Sequence, residues 1–328
     1  MSRRSFGLCT PWRSRRQIGN PGLYAPISQD SSGGPSLGSW PHLPGLAIDT
    51  ATIPAAQKCA TSKLRRTPFR QKVSTLQILL TNDDGIYAPG IAALEQELRK
   101  IGEVCIVAPA KEQSGVGHSI TFLSPLVGRE VFNGDVHRGW AIEGTPADCV
   151  KLALFELCPK KPDLIVSGIN GGLNAGINIL YSGTLGAAIE GAFFGVKSIA
   201  VSLEYDDRAD FATAAEMARG VIEQVLANDK TDGQLYNINI PTAALYEMKG
   251  VKTVPMGVAR YGEHFLKRKD PKGRDYYWAT NDPPPADEGR ETDLSELAKG
   301  FVTLTPLDYD MTKHERLADL ESWKIKLS

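Results

Sequence analysis

Three short polar clusters carry side chains able to do chemistry. Asn82-Asp83-Asp84-Gly85 sets two carboxylates side by side. Glu112, Gln113 and Ser114 form a second cluster, and Asn170 and Asn174 a third. The donors are all oxygens: two carboxylates from Asp83 and Asp84, an amide carbonyl from Asn170, a hydroxyl from Ser114. Hard oxygen ligands suit Mg2+, Mn2+ or Ca2+ rather than Zn2+. Adjacent carboxylates at a strand end point in different directions. One can hold an ion directly while the other holds it from the side or orients water. Asn-Asp-Asp-Gly is by itself an ordinary turn sequence, so its placement decides between the two readings.

A second set of residues suits a phosphate. Gly168-Ile-Asn-Gly-Gly-Leu-Asn-Ala-Gly-Ile-Asn178 is rich in glycines, which allow close approach of backbone to a ligand. Tyr181-Ser-Gly-Thr184 then opens a helix, and a helix N-terminus offers free N–H groups to an anion. Ser182, Gly183 and Thr184 are therefore candidate phosphate contacts, with Asn174 and Asn82 beside them. Capping by Ser182 or Thr184 is compatible with that role. His118 follows the Ser114 loop and is a candidate donor to the phosphate or leaving group. Gly144-Thr-Pro-Ala-Asp148 is a helix start, with Thr145 as N-cap, Pro146 in the first turn and Asp148 at the third position. The structural role is preferred there.

These clusters need elements to hold them. Gln77–Thr81 is a short apolar run ending at the first cluster, as a buried parallel strand would. Gly90–Lys100 has helical spacing with Ile91, Leu94 and Leu98 on one face, and Glu103–Pro109 is a second strand. Strand, helix, strand with short connections is a βαβ unit. The alternation continues. Helices are predicted over Ala147–Leu157, Leu185–Phe194 and Phe211–Leu226, and strands over Asp163–Ser167, Ser198–Ser202 and Leu235–Ile240. The fold class is α/β, a three-layer α/β/α sandwich on a mostly parallel, Rossmann-like sheet. In such a sheet ligands sit beyond the carboxyl ends of the strands, where the three clusters fall. Arg260–Ala279 reads as a protruding hairpin, Asn281–Glu291 as a loop, Gly300–Pro306 as a returning strand and Met311–Lys324 as a terminal helix. Tyr261, Phe265, Tyr276, Tyr277 and Trp278 make the hairpin too aromatic to stand alone in water.

Composition narrows the classes. The chain has 328 residues, 42% hydrophobic and 23% charged, with a net charge of −1. Residues 1–76 hold eight Arg and three Lys against Asp30 and Asp49, a balance of +9 that leaves −10 for the rest. The acidic part is the expected folded domain, 77–328, and it argues against a nucleic-acid groove. No apolar stretch has the length of a membrane span. The basic, Ser- and Pro-rich extension lacks any core-forming period and is expected to be disordered. It reads either as a transit-like segment or as sequence ahead of a start at Val73 or Leu76, the next Met being Met217. The second reading is preferred, and with it a cytoplasmic location; an organelle is the alternative. Cys9, Cys59, Cys105, Cys149 and Cys158 show no CxxC pair, which fits free thiols in a reducing compartment. P-loop and Gly-x-Gly-x-x-Gly signatures are absent, and no Gly-x-Ser-x-Gly follows a predicted strand as a nucleophile elbow would.

Six blocks together resemble the SurE survival-protein family. They are Leu80–Ile86, Val107–Pro109, Ser114–Thr121, Gly144–Cys149, Ser167–Asn174 and Tyr181–Thr184, in that order across about residues 77–324. The resemblance implies a metal-dependent 5′-nucleotidase and phosphomonoesterase. It implies metal ligation by Asp83, Asp84, Ser114 and Asn170, the set chosen above from chemistry, with Asp83 and Asp84 also catalytic. The implied cofactor is one divalent cation per subunit, Mg2+ or Mn2+ first. Where many members have Asp after the Ala-Pro pair this chain has Ala110, and Gln113 stands at a neighbouring basic position. Homodimers or homotetramers with exchanged C-terminal arms, about 255–300, are implied as well. The expected substrate is a nucleoside 5′-monophosphate. The alternatives are short-chain polyphosphate hydrolysis at the same site, or a nucleotide- or metal-binding protein without turnover.

Overall fold

The computed structural model describes residues 75–258, 263–281 and 289–327. Residues 1–74 of the basic extension, Tyr261 and most of the expected acidic loop lie outside them. Strand β1 (Gln77–Thr81), helix α1 (Pro89–Leu98) and strand β2 (Glu103–Pro109) form the expected unit, with β1 and β2 parallel. Alternation along β1 decides the layers. Ile78 and Leu80 face one side, where α1 lays Ile91, Leu94 and Leu98. Leu79 faces the other, with Val107 and Ile165. Each fully buried leucine or isoleucine contributes about 1.5–3 kcal/mol by leaving water.

A hairpin not anticipated from the sequence follows: β3 (Val127–Asn133) and β4 (Val136–Glu143). Six of the seven residues of β3 are exposed, so no apolar alternation marks it. β4 lies parallel to β2. Helix α2 (Pro146–Leu152) starts with the expected capping box between Thr145 and Asp148 and widens into a π turn over Ala153–Leu157. Next come β5 (Leu164–Gly171), α3 (Gly183–Phe193), β6 (Lys197–Leu203), α4 (Phe211–Asn228) and β7 (Leu235–Ile240). The short strand β8 (Val251–Thr253) precedes the projecting hairpin β9 (Glu263–Lys269) and β10 (Asp275–Asn281). Helix α5 (Asp293–Ala298), strand β11 (Val302–Leu307) and helix α6 (Leu317–Ser322) complete the chain.

The main sheet runs β3-β4-β2-β1-β5-β6-β7-β11-β8. From β4 to β7 all pairings are parallel; β3 and β11 attach antiparallel. Helices α1 and α4 pack on one face, α2 and α3 on the other. The expected three-layer sandwich is present. Parallel strands place the loops after β1, β2 and β5 at one end of the sheet. Among the described residues no helix is long and apolar enough to cross a membrane.

The terminal helix is shorter than expected. A 3-10 turn at His314–Arg316 precedes α6, and residues 308–327 are exposed throughout. With no buried face, a longer helix lacks the packing that stabilises further turns. Helix α5 was missed, although Thr292 and Ser295 cap it reciprocally.

Candidate active site

The β1 loop is built around Gly85, whose φ of 98° lies in the left-handed region glycine favours. Asn82 is fully buried, and its side-chain amide donates to the Gly85 carbonyl at 2.9 Å. Its role is therefore to shape the loop, where a phosphate contact was expected. The loop presents Asp83 and Asp84 from the end of β1.

Asp83 meets the start of α3. The Thr184 hydroxyl donates to Oδ1 at 2.5 Å and the Thr184 backbone N–H to Oδ2 at 3.1 Å. Gly183 is required for this approach, since a Cβ there would stand 2.9 Å from the Asp83 Cβ. Ser182 caps the helix, its Oγ accepting from the Leu185 N–H at 3.1 Å. The helix terminus expected to seat a phosphate thus holds a protein carboxylate with two of its donors. Burial pushes the Asp83 carboxyl up to about 6; the Thr184 hydroxyl opposes the shift and the Asp84 charge adds to it.

Asp84 turns toward β5. Its Oδ2 accepts from the Gly171 N–H at 3.3 Å, one residue past Asn170. Burial raises its pKa, and the charge of Glu112 adds to the shift. Asn170 follows an irregularity in the β5–β6 register, and its amide donates to the Gly172 carbonyl at 2.6 Å. That bond fixes which end of the amide is the nitrogen and leaves Oδ1 as the available donor atom. The β2 loop closes the group. The Gln113 N–H donates to the Asp83 carbonyl at 2.7 Å, and the Ser114 hydroxyl to Glu112 at 2.6 Å. The loops that carry Asp83 and Asp84, Asn170, and Ser114 meet at the carboxyl end of the sheet.

Two further candidate phosphate contacts are held by hydrogen bonds within the fold. The Asn174 side-chain amide donates to Ser202 of β6, and the Asn174 backbone carbonyl accepts from the side-chain amides of Asn237 and Asn239 of β7. These strands lie two and three places from β1. The His118 Nε2 sits 2.5 Å from a carboxylate oxygen of buried Glu190, which also faces Lys151 at 3.5 Å. Glu190 is six residues along α3 from Thr184, about 9 Å along the axis. His118 therefore anchors its loop to the flank of α3.

Glu112, placed in the second cluster without a role of its own, is a third carboxylate, and its charge acts on Asp84. One further feature has no signal in the sequence. A cleft of about 680 Å³ opens on the β2–β4 side of the loop, lined by Tyr87, Lys111, Gln113, Arg129, Glu143 and Thr145 among others. Tyr87 is 72% exposed. Asp148 keeps the structural role preferred for it. Its carboxylate accepts from the Thr121 N–H and hydroxyl and from the Thr145 N–H, so it staples the loop that carries Ser114 to the start of α2.

The chain matches the family described as Survival protein SurE over residues 78–263. It is 56% identical over 252 residues to the 5′-nucleotidase SurE of Rhodopirellula baltica, covering 76% of this chain and 100% of that protein. The chain belongs to the SurE family. The 5′-nucleotidase SurE of a Vibrio cholerae strain is 41% identical over 260 residues, covering 79% of this chain and 97% of its own. The crystal structure of the SurE protein from Aquifex aeolicus aligns with a TM-score of 0.66 at 38% identity, covering 76% of this chain and all of that one. The SurE match spans the elements from β1 to β7 that position the Asp83–Asp84 group.

Proposed function

We propose that this chain hydrolyses nucleoside 5′-monophosphates to nucleoside and phosphate, with one divalent cation, Mg2+ or Mn2+, held by Asp83, Asp84, Asn170 and Ser114. One observation carries the reading: two adjacent, partly buried carboxylates are tied to the two loops that carry neutral oxygen donors, Asp84 by the Gly171 N–H and the Asp83 carbonyl by the Gln113 N–H. Paired carboxylates in a partly dry site are costly when charged, and a cation offsets that cost. Among the described residues no group of three or more His, Cys, Asp and Glu could hold a metal. The proposed donor set is two carboxylates plus an amide and a hydroxyl oxygen, the chemistry of a hard ion. Such a cation supplies electrostatic stabilisation of the phosphate and of the attacking water. The chain's own residues do the rest. Thr184 fixes Asp83. Asp84 Oδ1 accepts no hydrogen bond among the described residues and orients the water. Ser182 and the backbone around Gly183 contact the phosphate. The cleft beside Tyr87 takes the ribose and base, with the exposed ring as a stacking surface.

The relatives' names, 5′-nucleotidase SurE, support the substrate. The exposed aromatics Phe265, Tyr277 and Trp278 on the hairpin and the exposed apolar residues of the C-terminal segment support a homodimer or homotetramer with exchanged arms. The free thiols Cys105, Cys149 and Cys158 support a cytoplasmic location. The residue 1–76 extension is read as dispensable to the activity.

The test is phosphate release from a panel of nucleoside 5′-monophosphates, ribose 5-phosphate and inorganic tripolyphosphate. Nucleotides are expected to be preferred. Tyr87→Ala is expected to raise KM for nucleotides several-fold and leave ribose 5-phosphate unchanged. Preference for tripolyphosphate, or no release from any nucleotide, contradicts the reading.

A further inference from the structure

At the opposite end of the sheet from Asp83, two thiols lie in contact. Cys105 is the third residue of β2, paired in register with Leu79 of β1. Cys158 ends the π turn that follows α2. Fifty-three positions apart in sequence, their sulfurs stand 2.8 Å apart, with the Cys158 thiol donating to the Cys105 sulfur. Both side chains are half-buried, and a cavity of about 140 Å³ lined by Gln77, Glu103, Lys160 and both cysteines opens beside them. Cys149, by contrast, is fully buried within α2. The hydrogen bond also sets an order between the two thiols. It holds the Cys105 thiol below its ordinary range and pushes Cys158 up.

We propose that Cys105 and Cys158 form a dithiol site that a low-molecular-weight disulfide of the glutathione class oxidises reversibly to an intramolecular disulfide. The Cys105 thiolate attacks one sulfur of the small disulfide. That S–S bond breaks, and one small thiolate leaves and takes up a proton. The Cys158 thiol then loses its proton, and its sulfur attacks the Cys105 sulfur of the mixed disulfide. The second small thiol is released. Two protein thiols are oxidised and one small disulfide is reduced to two thiols. The contact already has the direct sulfur-to-sulfur approach that the second step needs. The new bond ties the start of β2 to the end of the α2 segment, closing a long loop in the unfolded chain, which stabilises the fold. The bond lies four residues along β2 from Pro109, about 13 Å from the candidate site, so turnover should persist.

The full chain is incubated with oxidised glutathione or with dithiothreitol, quenched in acid, denatured and labelled with N-ethylmaleimide. All five cysteines should label after dithiothreitol. After oxidation two labels should be lost, with the Cys105 and Cys158 peptides cross-linked and the melting temperature raised by several degrees. Dithiothreitol should restore both readouts. Cys105→Ser and Cys158→Ser should each abolish the cross-link, and Cys149→Ser should leave it intact. The peptide map of the unsubstituted chain decides the matter even if a variant fails to fold. Full labelling after oxidation, a stable mixed disulfide at Cys105 with Cys158 still free, or pairing of either thiol with Cys9 or Cys59 overturns the proposal.

Discussion

Asp83 and Asp84 are neighbours held by different parts of the fold. The Thr184 hydroxyl and N–H take both oxygens of Asp83, while Asp84 keeps one oxygen without a partner among the described residues. Thr184→Val keeps the shape and removes the hydroxyl donor from a buried carboxylate. It should cost about 1–3 kcal/mol, or about 2–4 °C in melting temperature per kcal/mol at this size. Thermal melts of the two proteins read it directly. Which residue types could do the chemistry was legible in the sequence, because hard-ion chemistry needs oxygen donors and strand ends expose them. The partners were not. Asp83 and Thr184 are 101 positions apart, and nothing local shows that the helix terminus holds a carboxylate. The partner of His118 was hidden for the same reason: Glu190 lies 72 positions away.

Elements act here as clamps on loops. Asp148, at the start of α2, accepts from Thr121 and from Thr145, and so joins the Ser114 loop to a helix. Asp148→Ala removes a cap and leaves those donors without their acceptor. It should cost about 2 kcal/mol and make the Ser114–Thr121 segment open to limited proteolysis. Intact resistance to protease would show that the loop is held by other means. At the far end of the sheet, Asp229 closes α4. The Thr231 backbone N–H foremost, then the Tyr236 hydroxyl and Lys197, hold its carboxyl well below the ordinary value of 3.8. A carboxylate with a depressed pKa adds stability that is present above its unfolded value and lost as pH falls through the folded one. The chain should therefore lose stability on acidification below about pH 4. Asp229→Asn should be less stable at pH 7 by about 1 kcal/mol and show a flatter acid limb. Buried strands were legible because Ile78, Leu79 and Leu80 form an apolar run. β3 was not, because exposure erases the apolar pattern.

On the scale of the molecule, the sandwich followed from alternating strands and helices, and the hairpin from its turn. The face proposed for it to cover, on another chain, would leave no trace within this one. Phe265 and Trp278 are 67% and 65% exposed, and Met311, Ile325 and Leu327 at the C-terminal end are more so. Replacing residues 263–281 by a short Gly-Ser linker should give a monomer in light scattering where the intact chain gives a dimer or tetramer. A monomeric intact chain at all concentrations would remove the assignment of the arm. A chain beginning at Val73 should fold and keep full turnover, checked by circular dichroism and phosphate release.

The central claim is that Asp83 and Asp84 make a cation-dependent hydrolase site, and Asp84→Asn tests it most directly. The change is nearly isosteric and removes one charge from the donor set. Phosphate release from a nucleoside 5′-monophosphate is measured for both proteins with Mn2+ and with EDTA, alongside melting temperature. The unsubstituted chain should turn over with Mn2+, fall silent in EDTA and gain melting temperature on adding Mn2+. Asp84→Asn should lose about 100-fold or more of the activity and most of that thermal gain. Its metal-free form should melt a few degrees above the metal-free unsubstituted chain at pH 8, because burial disfavours the charge it lacks. Equal turnover of the two proteins, or turnover undiminished in EDTA, would contradict the account.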